Sequence, residues 1–261
     1  MQYLTYCLIG IIVILLLLHI SNIAIAINDV ESLTSTTIVE KPDKINNELK
    51  NFPAFIINFS HRKDRALSIS KVMNKMGFKH ITFVEPVSRQ EILRDYPHGI
   101  HHISTLSRLL TTIKIFNMTS SDKFFVFEDD VDVYTSSCSM NDIYNAAQKI
   151  DYDLIFFEIC YTLCHFSERI SDFLYLLSQP YCNGAMLYTQ KFVKKFFNYI
   201  KNIDITKYAC DSLIIQMNKE NLIRCVGYPY FRQNPTLGSE IETSMRYKAK
   251  HIYFDPLCRF S

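Results

Sequence analysis

Strand-length apolar runs alternate with stretches of helical periodicity in this sequence. Residues 54–59, "AFIINF", form a continuous apolar run, and residues 61–77 place apolar side chains at helical spacing before Gly77, a natural helix C-cap. The alternation continues with predicted strands at residues 80–87, 123–129, 152–159 and 184–189, and predicted helices at residues 104–119, 141–150 and 190–203. This pattern predicts an α/β fold with a mainly parallel central sheet flanked by helices.

Composition divides the chain into three segments. Residues 3–27 contain no Asp, Glu, Lys or Arg and reach the roughly 20 apolar residues that a membrane helix needs. We therefore interpret residues 1–27 as a signal anchor or a cleaved signal peptide. Residues 28–51 are polar and lack aromatic side chains, which predicts a stem or linker. Residues 52–261 are predicted to form one globular domain.

The N-terminal segment also predicts where the domain resides. We expect a single-pass membrane protein with its domain translocated into the ER or Golgi lumen or an equivalent compartment, or a secreted protein if the signal is cleaved. That compartment is oxidising. Seven of the eight cysteines lie in residues 52–261, so at least one thiol should stay free or pair outside the chain. For the local cluster of Cys160, Cys164 and Cys182, disulfides, buried thiols and a metal site with His165 all remain open.

Charge excludes one class of partner. The formal net charge is +2, with 28 Lys and Arg against 26 Asp and Glu. No basic arm or arginine-rich block occurs in the sequence, so nothing in it indicates nucleic-acid binding. Hydrophobic side chains make up 48% of the chain, which is enough for a sizeable core.

An apolar strand leads directly into a run of acids in "FFVFEDDVDVY", residues 124–134. Because like charges repel, either water or a cation must lie beside Glu128, Asp129 and Asp130. If the strand continues that far, Glu128 and Asp130 share one face of it and Asp129 lies on the other. In α/β sheets ligands bind beyond the carboxyl ends of strands, and carboxylates there can bind a divalent ion together with diphosphate oxygens. A solvated loop or a helix N-cap is the alternative interpretation.

Six segments occur in one order along residues 52–241: "IINFSHRKDR" (56–65), "ISTLSR" (103–108), "FFVFEDDV" (124–131), "YCNGAMLYTQKFVKKF" (181–196), "YACDSLIIQM" (208–217) and "YPYFRQNPTLGSEI" (228–241). Together they resemble the family 25 glycosyltransferases, the lipooligosaccharide and collagen galactosyltransferase type. The chain departs from the family pattern at Arg108, where a histidine is usual, and at Ile103 and Ser104, where Gly-Cys is usual.

The resemblance implies a GT-A type fold that binds a UDP-sugar donor and a divalent cation such as Mn²⁺ and inverts the anomeric carbon. A metal can stabilise the charge that develops on the departing diphosphate. The implied metal ligands are Glu128, Asp130 and Asp132. The implied donor-binding residues are Asn58, Arg62, Arg65, Asp129 and Gly184, and the implied general base is Asp211.

Two classes of function follow from this reading. The first is a hexosyltransferase that moves galactose or glucose from a UDP-sugar to a glycan or protein hydroxyl. The second is a glycosyltransferase-like module that has lost catalysis and serves in binding or assembly. The altered segment 103–108 favours the module that has lost catalysis. The intact acids 128–130 and the pair Arg62 and Arg65 favour the active enzyme. A disulfide-stapled structural protein is a weaker rival.

Overall fold

A computed structural model describes residues 45–96, 103–134, 138–159, 167–234 and 237. All of them belong to one compact unit, Lys41–Ser261. The predicted segment 1–27 lies outside the described residues, and so do Cys160, Cys164 and His165.

The described residues form a nine-stranded sheet with the order β2-β1-β3-β8-β5-β9-β7-β6, and β4 pairs with β9. The strands are β1 Ala54–Ile57, β2 Ile81–Val84, β3 Lys123–Glu128, β4 Val131–Val133, β5 Leu154–Glu158, β6 Glu168–Ser171, β7 Leu174–Leu177, β8 Ala185–Thr189 and β9 Cys225–Gln233. The pairings make β1, β2, β3, β5, β6 and β9 run in one direction and β4, β7 and β8 in the other. The predicted α/β class with a mainly parallel sheet is confirmed.

Helices cover the sheet, and those that the sequence predicted lie close to their predicted positions. They are α1 Asn47–Asn51, α2 Lys63–Met76, α3 Arg89–Asp95, α4 Ile103–Met118, α5 Met140–Ala147, α6 Gln190–Ile200 and α7 Cys210–Lys219. Helix α2 ends as predicted at Gly77, whose φ of 94° is left-handed and whose N–H donates to the Met73 carbonyl at 2.9 Å. Ser88 and Ser139 each begin a helix with a capping box.

Strand β3 explains why the core has two halves. Phe125 and Phe127 belong to one hydrophobic cluster, while Phe124 and Val126 belong to the other. Successive side chains of a strand point to opposite faces, so the two clusters lie on the two faces of the sheet. A strand buried on both faces must be apolar at every position, which is the continuous pattern seen in the sequence.

Several elements, among them helix α1 and strand β9, lie where the sequence predicted no regular structure. Helix α1 lies in the last residues of the predicted linker 28–51, where Ile45 and Leu49 are buried and the Asn46 side chain caps the helix by accepting from the Leu49 N–H. Strand β9 contains Pro229, which cannot donate to a ladder and disguises the strand in the sequence. The β5–β9 register accordingly shifts between Phe156 and Glu158.

The prediction of a single-pass membrane protein needs correction. Within the part of the chain that the structure describes, no helix combines the length and the apolar character needed to cross a membrane.

The cysteine predictions are tested in part. Cys210 and Cys225 are buried free thiols, which confirms that at least one thiol stays outside disulfides. Cys182 is disulfide-bonded. Because Cys160 and Cys164 lie outside the described residues, the pairing within this cluster stays a prediction.

Candidate functional site

The acids of the 124–134 segment lie at the edge of the sheet where the parallel strands end. Strand β3 ends at Glu128, and Asp129 and Asp130 form a turn before β4 begins. The strand therefore does not continue through the triplet, and the expected alternation of faces stops at Glu128. Strand β5 runs parallel to β3 and ends at Glu158. We call Glu128, Asp129, Asp130 and Glu158 the acidic edge.

Asp129 is the best-partnered acid of the acidic edge. Its Oδ1 accepts from Arg65 Nη1 at 2.7 Å, and its Oδ2 accepts from Asn58 Nδ2 at 2.7 Å. All three side chains are buried. Charge-assisted hydrogen bonds of this length are among the strong ones in proteins. The structure thus brings together three residues that were predicted to bind the donor, Asn58, Arg65 and Asp129. Their side chains hydrogen-bond to one another through the atoms given above.

Asp130 lies beside this network but is less well neutralised. Its Oδ2 is 3.5 Å from Arg65 Nη1, and its buried Oδ1 has no hydrogen-bond partner among the described residues. Burial raises the pKa of Asp130 to about 7, and the charges of Glu128 and Asp129 add to that effect while Arg65 opposes it. Asp130 is therefore a carboxyl group that titrates near neutral pH, which is a common property of functional sites.

Arg108 neutralises Glu128 from helix α4. Its Nε donates to Glu128 Oε1 at 2.9 Å, its Nη1 donates to Thr112 Oγ1 at 2.6 Å, and its Nη2 donates to the Asn183 carbonyl at 3.0 Å. The guanidinium group thus spans β3, α4 and the segment before β8. Sequence reasoning noted Arg108 only as a departure from the family pattern, and the structure makes it the partner of a predicted metal ligand.

Gly184 and Glu158 meet at the centre of this edge. A Cβ atom on residue 184 would lie 1.6 Å from Glu158 Oε2 and 3.0 Å from Val131 Cγ1, so a larger residue at 184 requires the Glu158 carboxyl group to move. Glu158 is 2% exposed. Burial raises the pKa of Glu158 well above its ordinary value, and Glu128 and Asp130 raise it further. Sequence reasoning missed Glu158, although an acid at the end of an apolar strand is the same signal that identified Glu128.

Asp211 also lies near the acidic edge, in the first turn of α7. The N-cap of this helix is Ala209, so Asp211 is not the capping residue. Burial raises the pKa of Asp211, Glu128 raises it further and Arg108 lowers it. The Asp211 N–H reaches the Asn183 side-chain oxygen at 3.0 Å when the Asn183 amide is oriented to accept. Asp211 and Glu128 therefore belong to one electrostatic neighbourhood.

Of the remaining predicted residues, Arg62 lies beside Asn58 and Arg65, whereas Asp132 points away from the acidic edge. The Arg62 carbonyl accepts from Asn58 Nδ2 at 3.3 Å, and Arg65 Nη2 donates at 3.5 Å to the Leu237 carbonyl that Arg62 also contacts. Arg62 donates to both Asp64 carboxylate oxygens and to the Leu237 carbonyl, the last at 2.8 Å. Asp132 lies between the buried residues Val131 and Val133 of β4, so its side chain points to the other face of that strand. Across the described ranges, no group of three or more His, Cys, Asp and Glu side chains is arranged to hold a metal ion.

Comparison with known proteins finds similarity in structure only. No family model matches the chain, and no curated protein matches its sequence. The inositol-1-phosphate CTP transferase from T. maritima has a TM-score of 0.40 and 8% identity, covering 72% of this chain and 91% of that one. UDP-glucose pyrophosphorylase complexed with UDP-glucose has a TM-score of 0.37 and 9% identity, and the match covers 70% of this chain and 75% of that one.

The galactosyltransferase LgtC in complex with donor and acceptor sugar analogs has a TM-score of 0.34 and 13% identity, covering 66% of this chain and 71% of that one. Similarities this distant describe how strands and helices are arranged and say nothing about activity. Membership of the family 25 glycosyltransferases therefore stays a prediction from the sequence.

Proposed function

We propose that this chain is an inverting glycosyltransferase that transfers a hexose, galactose or glucose, from a UDP-sugar to a glycan or protein hydroxyl. One observation supports it above all others. The turn Asp129–Asp130, the pair Arg108–Glu128 and the carboxyl group of Asp211 come from three separate sequence segments and meet at the carboxyl edge of one sheet. In α/β sheets this edge is where ligands bind.

Asp211 is the general base of this proposal. An inverting transfer needs a carboxylate that takes the proton of the acceptor hydroxyl while the hydroxyl oxygen attacks the anomeric carbon. The pKa of Asp211 is raised by burial, which brings its basicity closer to the working pH. Its position in the first turn of α7 leaves it half-buried and next to the acidic edge.

The predicted metal seat of Glu128, Asp130 and Asp132 does not fit the geometry. Arg108 already holds Glu128 at 2.9 Å, and Asp132 lies on the far side of β4. Of these three acids, Asp130 is the one with a buried oxygen that has no hydrogen-bond partner among the described residues. We therefore assign no step to Mn²⁺ or another divalent cation. The positive charge beside these acids comes instead from Arg65 and Arg108.

Donor hydrolysis tests the proposal. The full chain is incubated with a panel of nucleotide sugars, with and without Mn²⁺, and the released UDP is measured. We expect UDP release from UDP-galactose or UDP-glucose. Asp211→Asn should slow this UDP release by about 10²–10⁴-fold, because the variant lacks the general base. Asp151→Asn is the matched control, since Asp151 is exposed at the opposite end of β5. Calorimetry that detects no capture of UDP or UDP-sugar, together with no UDP release, would overturn the proposal.

One observation favours the second candidate, a module that has lost catalysis. Arg62 and Arg65, predicted to bind the diphosphate, are already engaged by the Leu237 carbonyl and by Asp129. A binding or assembly module would capture a nucleotide sugar equally well as wild type and as Asp211→Asn, with no turnover in either. A difference in turnover between the two chains rules this candidate out.

A further inference from the structure

We propose that Glu158 is a positioning residue of this site: its carboxyl group fills the space that Gly184 leaves open and fixes the Asn183–Gly184 backbone, which holds Arg108 and Glu128 together. The link to sugar transfer rests on the proposed function. The geometry does not, because each contact is a property of the folded chain.

The first step of the argument is the contact itself. The Gly184 Cα lies against the end of the Glu158 side chain, since an added Cβ would be 1.6 Å from Oε2 and 2.7 Å from Cδ. Real Cβ atoms do not approach other atoms this closely, so the Glu158 carboxyl group occupies the volume that any larger residue at 184 needs. The two positions are therefore matched in shape.

The second step is the hydrogen bonding of the segment that Glu158 supports. The Gly184 backbone hydrogen-bonds to the Glu158 carboxyl group. The Gly184 carbonyl accepts from the Glu128 N–H at 2.7 Å, and the Asn183 carbonyl accepts from Arg108 Nη2 at 3.0 Å. Asn183 and Gly184 thus connect the end of β5 with the end of β3. A shift of this backbone would disturb both partners of the Arg108–Glu128 pair.

The third step is charge. Among the described residues, the charged groups that act most strongly on Glu158 are Glu128 at the end of β3, Asp130 in the turn that follows and Arg108 on α4. Arg108 directs its donors to Glu128, Thr112 and Asn183. Burial therefore favours the neutral carboxylic acid form of Glu158, and its pKa is raised well above the ordinary value. A neutral amide of the same shape should replace it well.

A double-mutant cycle tests the shape match without any ligand. Gly184→Ala in the wild-type background should lower Tm by roughly 5 °C or more, because the new methyl group collides with the Glu158 carboxyl group. In the Glu158→Ala background the same change should lower Tm by less than half as much, since the collision with Glu158 is gone and only Val131 remains close. Equal losses in the two backgrounds would overturn the proposal.

Rescue by the isosteric amide tests positioning. Glu158→Gln should keep UDP release within about 3-fold of wild type, whereas Glu158→Ala should lose about 10-fold or more because the Asn183–Gly184 backbone is no longer held. Glu168→Gln, an exposed glutamate at the opposite end of the sheet, is the control. The proposal would be contradicted if Glu158→Ala released UDP as fast as wild type. It would also be contradicted if Glu158→Gln lost as much UDP release as Glu158→Ala.

The pH dependence of Tm tests the charge state of Glu158 without a donor. A carboxyl group whose pKa is raised on folding binds more protons in the folded state, so its contribution to stability falls as pH rises. Tm of Glu158→Gln minus Tm of wild type should therefore increase from about pH 5 to about pH 9. Parallel curves would overturn the proposal. If wild type releases no UDP but the cycle and the pH curves behave as expected, the proposed function fails and the assignment of Glu158 stands.

Discussion

Two groups of buried acids lie at opposite ends of strand β5 and are neutralised in different ways. At its start, Asp153 is 1% exposed, and its carboxylate accepts from Lys195 Nζ at 2.9 Å and from the Arg224 N–H at 2.8 Å. Lys191 Nζ lies 3.7 Å away and bridges to exposed Asp151. We call Asp151, Asp153, Lys191 and Lys195 the Asp153 cluster. It contains two acids and two lysines.

The acidic edge at the other end contains four acids, and two arginines lie beside it. Arg65 and Arg108 are committed to Asp129 and Glu128, and the pKa values of Asp130 and Glu158 are raised by burial. Burying charge is unfavourable unless it is neutralised, and the acidic edge gathers more acids than the Asp153 cluster. We propose that the Asp153 cluster serves stability, whereas the acidic edge holds groups for binding and proton transfer.

Of the substitutions considered, removal of Arg65 beside the acidic edge should have the largest effect on stability. Arg65→Ala leaves the buried carboxylates of Asp129 and Asp130 without their cation, which should lower the free energy of unfolding by about 3–5 kcal/mol. Urea denaturation measures the change. Arg94→Ala, which removes an exposed arginine beside Asp95, is the control and should have no measurable effect. If Arg65→Ala lowers the free energy of unfolding no more than the control does, water solvates the carboxylates of Asp129 and Asp130.

Neutralising the acid of the Asp153 cluster should also destabilise the fold. Asp153→Asn loses the charge that binds Lys195 and the Arg224 N–H, and the free energy of unfolding should fall by about 2 kcal/mol. The half-exposed Lys195 can turn to water, which keeps the loss below that of Arg65→Ala. UDP release should not change, because the cluster lies at the edge away from the site. Loss of release without loss of stability would contradict the division between the two groups.

Neutralising an acid of the acidic edge should have the opposite sign. The pKa of Asp130 is raised on folding from 3.8 to about 7, so wild type loses stability as pH rises between those values and the loss is complete above pH 7. At about pH 8, Asp130→Asn should be more stable than wild type by roughly 1–2 kcal/mol, less than the pKa shift alone implies because the new amide needs partners of its own.

The measurement for Asp130→Asn is Tm against pH, with wild type in parallel and Asp153→Asn as the matched acid-to-amide change. The difference from wild type should shrink towards zero below about pH 3, where Asp130 is largely protonated in both states. Destabilisation at every pH would mean that Asp130 is held as a carboxylate, and the contrast between the two groups would fail.

Much of the fold could be predicted from the sequence, because strand segments buried on both faces, such as 54–57 and 124–127, must be apolar throughout. Strand β9 was hidden because Pro229 interrupts its ladder. The weakly patterned strands β6 and β7 gave no signal, since several of their residues are not buried. Local patterns report burial, and these elements are stabilised by pairing instead.

The site was predicted less completely. The acids 128–130 and Asp211 were found from the sequence, and their proximity follows from the shared edge of the sheet. The partners Arg65 and Asp129 are 64 residues apart and Arg108 and Asn183 are 75 apart, so no spacing rule pairs them. The side chain of Asp132 points away from Glu128 and Asp130, because the chain turns at Asp129–Asp130 and Asp132 then lies in strand β4. Which acids already have a cation depends on tertiary contacts.

The smallest expected effect concerns the exposed part of the Asp153 cluster. Lys191 is a surface lysine whose Nζ is 2.6 Å from exposed Asp151 and 3.7 Å from Asp153. Water and salt screen such pairs, so Lys191→Ala should lower the free energy of unfolding by only about 0–1 kcal/mol. Lys195→Ala in the same urea assay should lose more, since Lys195 contacts buried Asp153 directly. If the two variants lose the same free energy of unfolding, both lysines together neutralise Asp153. The contrast with the acidic edge then depends on the number of cations beside the acids and not on one close contact.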